Sequence, residues 1–160
     1  MKIVFNSSPL IFLSRLGFLG KFLESEDEFY LPSFVSEEIK AKTDEASQQV
    51  QVLINTDTII VQIPKLISLA ESLNTRLGRG EAEAIALGIE LQTDYILLDD
   101  FAARKEAMRL GLNVKGTLAV IRKLHLEGKI TIDNLDELYQ NLIAINFRVT
   151  RSLFDQIFKN

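Results

Sequence analysis

Tyr95-Ile96-Leu97-Leu98 is apolar at every position and stops abruptly on Asp99-Asp100. A strand with one wet face alternates polar and apolar residues. A strand that is apolar throughout must be covered on both faces, as in a parallel sheet packed between helices. In open sheets of that kind, ligands bind beyond the carboxyl ends of the strands. The run therefore constrains the fold and points to the edge where a site belongs.

The rest of the chain fits that frame. Lys2-Ile3-Val4-Phe5 reads as a first buried strand and Phe29-Tyr30-Leu31 as a second, ended by Pro32. Thr58 to Ile63 is rich in β-branched residues and reads as a third, ended by Pro64. Asn113-Val114-Lys115 is a short edge-strand candidate. The first helix is expected to have Ser8 at its N-cap and Pro9 in its first position, and Gly17 breaks it. A short helix follows around Phe18 to Leu23. Ser33 is expected to cap a helix from about Phe34 to Lys42, with further helices over Gln48 to Ile54 and Leu66 to Leu73. Leu77-Gly78-Arg79-Gly80 reads as a loop. After it, Ala82, Ile85, Ala86 and Ile89 form one stripe of a helix over 81–91. Later helices are expected over 100–110, 117–126, 135–143 and 152–158.

Strand–helix alternation predicts an α/β three-layer sandwich, a parallel sheet of about five strands flanked by helices, with a helical C-terminal tail. No repeat, linker or low-complexity stretch interrupts it, so residues 1–160 read as a single domain. Leu153, Phe154, Ile157 and Phe158 form a stripe on the tail, either packed on the same domain or presented to a second copy or partner.

Composition narrows the chemistry. A hydrophobic content of 47% over 160 residues supports a sizeable core. No apolar run is long enough to span a membrane, and the N-terminal stretch is too short for a signal peptide. The expected compartment is the cytoplasm, with no membrane partner. Cys is absent, which removes disulfides and thiolate metal sites. His125 is the single His, so His-based catalytic schemes have little support. The net charge of −4 argues against a protein that coats nucleic acid. Yet nine of the 18 Lys and Arg lie between Arg76 and Lys129, which leaves room for a local basic face.

Four side chains stand where such a fold gathers its chemistry. Asn6 closes the first strand, Asp99 closes the fourth, and Glu81 opens the helix after Gly80. Glu38, on the helix after the second strand, faces the same crevice or solvent. Converging carboxylates repel one another unless a cation lies between them. Without Cys and with one His, the donors are oxygens, which favours Mg²⁺ or Mn²⁺ over Zn²⁺. Such an ion positions a phosphate and supplies hydroxide near neutral pH, the chemistry of a metal-dependent nuclease.

Each residue also has a plainer reading. Glu81 suits a helix N-terminus through the dipole, and Glu83, on the other side of the apolar stripe, competes with it. Asp99 can cap the next helix, with Asp100 in its first turn. Asn6 can be a turn former, Ser8 an N-cap, and Glu38 and Glu37 a solvated pair. Arg79 borders the site and is a candidate nucleic-acid contact. Arg104, Arg76 and Lys115 are weaker candidates, for which a solvated face is the alternative. Gly78-Arg79-Gly80 lacks the ending of a Walker loop. An aspartyl-phosphate phosphatase needs Asp where Asn6 stands, and a dinucleotide enzyme needs glycines where Ser7-Ser8-Pro9 stands.

Five segments, in this order and spacing, resemble the PIN domain. They are Val4-Phe5-Asn6-Ser7-Ser8-Pro9-Leu10-Ile11, then Leu31-Pro32 with Val35-Ser36-Glu37-Glu38-Ile39, then Gly78 to Ala86, then Leu97-Leu98-Asp99-Asp100 with Ala103-Arg104, and Gly111 to Leu118. Within that family, the chain resembles a branch of nucleic-acid-binding proteins related to VapC-type toxins. The resemblance implies a Mg²⁺- or Mn²⁺-dependent ribonuclease acting on RNA, with a small antitoxin protein and a homodimer as expected partners. It maps the family's acids onto Glu38, Glu81 and Asp99, its first-strand Asp onto Asn6, and a small polar position onto Ser8, with Asp100 beside the ligands. An amide oxygen at Asn6 can still bind a hard cation, but it brings no charge and cannot act as a base. The resemblance therefore leaves two outcomes: a working ribonuclease, or a PIN-like module that binds RNA or protein without cutting.

Overall fold

The computed structural model describes residues 1–159. Among them, β1 (Lys2–Phe5), β2 (Glu28–Pro32), β3 (Ile60–Gln62), β4 (Tyr95–Leu97) and β5 (Val114–Lys115) form one sheet in the order β3-β2-β1-β4-β5. Every pairing is parallel. The chain steps outward from β1 to β3, then returns to the far side of β1 to lay down β4 and β5. The strand order reverses between β1 and β4, which is where open parallel sheets bind ligands. Phe5 pairs with Leu97, and the Asn6 N–H donates to Leu97 O at 3.2 Å. Asn6 and Asp99 therefore leave the sheet on neighbouring strands.

Period-two alternation sorts the strand side chains into two cores. Ile3, Phe5, Tyr95 and Leu97 face one helical layer. That layer holds α1 (Ser7–Arg15), α2 (Leu19–Leu23), α3 (Ser33–Lys40), α4 (Glu45–Asn55) and α8 (Thr117–Leu126), followed by the tail helices α9 (Leu135–Ala144) and α10 (Arg151–Phe158). Val4, Ile96 and Leu98 face the other layer, with α5 (Ile67–Asn74), α6 (Arg79–Glu90) and α7 (Phe101–Arg109). The fully apolar fourth strand is covered on both faces, as its composition requires.

Several helix starts differ from the sequence reading. α1 begins at Ser7, so Asn6 rather than Ser8 holds the cap position. Pro9 is third in that helix, where a missing N–H costs no intrahelical bond. β2 runs directly into α3, so Pro32 occupies the cap position and Ser33 does not cap. α4 starts at Glu45, earlier than Gln48, because Asp44 accepts from Ser47 N at 3.0 Å and caps a polar first turn. Arg79 and Gly80 belong to the first turn of α6 rather than to a loop. β3 is shorter than Thr58 to Ile63.

The tail packs on its own fold. Phe154 is fully buried, with the rings of Tyr139 and Phe158 at 5.3 and 4.7 Å. Arg151 lies over Tyr139 and Phe154 while pairing with Asp155 at 3.0 Å and with Asp136. Among the described residues, no helix is long and apolar enough to cross a membrane.

Candidate functional site

Asn6 forgoes the job its position offers. Asn is among the best N-cap residues, because its side-chain oxygen accepts a first-turn N–H. Here the Asn6 side chain makes no cap hydrogen bond, and no other hydrogen bond to it occurs among the described residues. It is only 5% exposed. Its Oδ1 looks instead toward the first turn of α6. A Cβ at Gly80 would stand 3.6 Å from that oxygen, 2.9 Å from Glu38 Oε1 and 3.2 Å from Val35 Cγ2. The bare Cα of Gly80 thus lets an amide oxygen and a carboxylate from two different helices close on the start of a third.

Glu81 occupies the third position of α6, where the helix dipole favours an acid. Its side chain folds back over Gly78, whose Cβ would lie 3.5 Å from Glu81 Oε1. Burial pushes the Glu81 carboxyl above its ordinary pKa, and the negative charges of Asp100 and Glu38 push it further. Acids from two other segments therefore act on Glu81. Glu83 points elsewhere and pairs with Arg79 at 3.1 Å.

The two neighbouring acids after β4 divide their roles in a way the sequence does not reveal. Asp100, not Asp99, is the N-cap of α7, accepting from Ala103 N at 2.9 Å. Asp99 reaches across to α8. Its Oδ1 accepts from Thr117 N at 2.8 Å and its Oδ2 from Thr117 Oγ1 at 2.6 Å. A Cβ at Gly116 would lie 3.0 Å from both Asp99 Oδ1 and Arg104 Nη1, so glycine allows this close approach. Arg104 donates to Leu98 O at 2.8 Å. Burial raises the Asp99 pKa, against the lowering effects of the Thr117 hydrogen bonds and the Arg104 charge.

Among the described residues, no three His, Cys, Asp or Glu side chains are set to hold a metal ion. Glu38 Oε1 and Asn6 Oδ1 converge at Gly80, and the Glu38 charge is felt at Glu81, whose side chain lies over Gly78. Ser8 is exposed on α1 and lines a groove of about 260 Å³ that begins at Glu38 and runs past Ser7 to Arg15 and Lys42. A larger groove of about 650 Å³, between α8 and α10, contains none of the acids above and reaches the end of β5 at Lys115.

The remaining basic candidates are engaged. Arg79 stacks over Phe34 at 4.3 Å besides pairing with Glu83. Arg76 pairs with Glu106 at 3.0 Å. The Arg109 hydrogen bond, with Arg76 behind it, pulls Glu106 down to about 2. Lys115 sits over the Tyr95 ring at 5.0 Å. His125 is exposed on α8. Sequence reasoning missed Thr117, Gly80 and Gly116. Their one local signal was a glycine placed next to a helix start.

A family model for the PIN domain matches residues 2–160. The chain belongs to the PIN-domain family. No curated protein and no solved structure is significantly similar to it. PIN domains are typically nucleases and generally use divalent metals. The all-parallel five-stranded sheet between helices agrees with that family's α/β fold.

Proposed function

We propose that this PIN domain is a divalent-metal-dependent endoribonuclease whose ion is held by Asn6, Glu38, Glu81 and Asp99, with Asp100 beside them. The observation that carries the reading is the Asn6 side chain, nearly buried, turned from its own helix toward Glu38 and Gly80, and without a hydrogen bond among the described residues. The amide is not sealed from solvent, since Ser36 Oγ is the one buried side-chain atom without a partner among the described residues; a hard cation entering beside the acids can therefore take the amide oxygen as a ligand. The donors are all oxygens, which suits Mg²⁺ or Mn²⁺. Such an ion, when bound, provides Lewis-acid activation of a phosphate and a hydroxide near neutral pH.

The chain's own part is placement. Asn6 and Gly80 hold the approach open, Glu38 and Glu81 bring negative charge, and Thr117 fixes the Asp99 carboxylate at the end of β4. The groove from Glu38 to Arg15 and Lys42 suits a negatively charged strand leaving the crevice. The resemblance of its sequence segments to a PIN branch related to VapC-type toxins is what suggests a toxin–antitoxin setting in the cytoplasm, with a small antitoxin covering the crevice and a homodimer as the working form. A second reading, binding without cleavage, is favoured by Asn6 standing in place of a carboxylate.

Purified protein incubated with a mixed single-stranded RNA panel, in Mn²⁺ or in EDTA, separates the two. The nuclease reading expects cleavage in Mn²⁺ only, and expects Asn6→Asp to raise it roughly tenfold or more by restoring a charged ligand. Binding of RNA without cleavage by either protein, in Mn²⁺, favours the second reading.

The raised pKa values of Glu81 and Asp99 give a second expectation. A folded acid with a raised pKa binds protons more readily than the unfolded chain, so its cost is absent below the unfolded pKa and fully present above the folded one. Without metal, Tm should therefore fall as pH rises through the raised values. A cation at these carboxylates favours their charged forms. Mn²⁺ should then raise Tm near about pH 7.5 and do so much less near about pH 4, which lies at the ordinary carboxylate values and below the raised ones. A Mn²⁺ effect equal at both pH values, or none at either, contradicts the site.

A further inference from the structure

Phe101 is the most solvent-exposed of the large hydrophobic side chains among the described residues, at 80%. A lone exposed ring is ordinary on a protein surface. This one follows Asp100 directly and fills the first position of α7. Asp100 is one of the two acids whose charge reaches Glu81. Cα–Cβ bonds tilt toward the N-terminus of a helix, and the N-terminus of α7 lies at the crevice edge of the sheet. The ring therefore stands at the crevice end of α7, next in sequence to Asp100 and largely open to solvent.

The rest of α7 says what would cover it. The helix carries Arg104, Lys105 and Arg109 against one acid, Glu106. Arg109 is paired with Glu106 and Arg104 is bound to Leu98 O. Lys105 is exposed, one turn beyond Phe101 on the same face, and has no ion pair among the described residues. A bare aromatic ring with a free ammonium one turn away suits a nucleobase and its phosphate, since bases stack on aromatic side chains while cations take the backbone. Met108 is exposed two turns on along the same face, but Lys105 stands between it and the ring, so an apolar protein partner would have to bury that ammonium.

We infer that Phe101 is a stacking platform for an unpaired base next to the cleavage point, with Lys105 on an adjoining phosphate. It follows that single-stranded RNA is held there and duplex RNA, whose bases are already stacked, is not. This rests on the nuclease reading above.

The chain has no Trp, so Phe101→Trp creates a lone reporter at the site. Leu126→Trp, at the exposed far end of α8 and remote from the crevice edge, serves as the control. The probe is a short fluorescein-labelled oligoadenylate, with Ca²⁺ in place of Mn²⁺ to limit cleavage, beside the same strand annealed to its complement. Emission of the Phe101→Trp protein is expected to fall on binding the single strand, and emission of the control to stay level. Phe101→Ala should weaken single-strand binding about five- to a hundredfold, the span of one lost base stack. It should change duplex binding little.

Binding to wild type with no quenching at position 101 and no loss in Phe101→Ala overturns the inference while leaving the nuclease reading intact. A change in self-association in Phe101→Ala without quenching also overturns it and assigns the ring to a protein contact. No binding of single-stranded RNA by wild type overturns both readings together.

Discussion

Glu81→Gln should lower Mn²⁺-dependent RNA cleavage by about 10²–10³-fold, the rate equivalent of losing several kcal/mol of metal-borne stabilisation. The substitution keeps the volume of the side chain and removes its charge. It should not harm the fold. Glu81 is held among Asp100 and Glu38 in a partly buried place, and each of these raises the cost of its ionised form. Without metal, the Tm of the variant should equal or exceed that of wild type. The pairing of lost activity with undiminished apo stability is the signature of an acid kept for ligand binding. Retained cleavage with a lowered Tm would instead mean that Glu81 serves its helix through the dipole.

Phe154→Ala should destabilise the protein by about 3–5 kcal/mol, lowering Tm by roughly 6–20 °C for a chain of this size. Phe154 is fully buried in a helix whose other face meets solvent, and its ring is held between Tyr139 and Phe158. Arg151 lies over the same ring, so truncation also strips a cation of its aromatic partner. Loss on that scale, measured by thermal or denaturant unfolding, shows that α10 is part of the core. A loss under about 1 kcal/mol would make the tail a detachable appendage, since ordinary surface changes fall in that range.

The sheet was legible because burial on both faces leaves a mark in composition. Tyr95 to Leu98 and Lys2 to Phe5 have few polar residues to misplace, and their ends fall where the apolar run stops. Helix starts were less legible, because a cap depends on what its side chain prefers elsewhere. Asn6 has the chemistry of an N-cap and the position of one, yet its amide turns away. Ser8 and Ser33 have cap chemistry but lie inside helices that follow their strands without a loop.

The candidate site was legible as a set of positions on the sheet edge and not as a set of side-chain directions. Strand order alone brings Asn6 and Asp99 together, and both were readable from the ends of their strands. Asp99 and Asp100 are chemically alike and adjacent. Which of them caps α7 and which ties to Thr117 depends on where β5 delivers the start of α8, a contact across 18 residues of chain. Gly80 was readable only as a loop former. Its use is to leave room for Glu38 and Asn6, which approach from helices distant in sequence.

The most direct test of the central claim is anomalous diffraction from crystals of the protein soaked in Mn²⁺. The account predicts one strong peak in the crevice between β1 and β4, within coordination distance of Asn6 Oδ1 and at least one oxygen of Glu38 or Glu81, and its loss in Glu81→Gln. Fully formed crystals with no peak there, or with Mn²⁺ bound only outside the crevice, would contradict it.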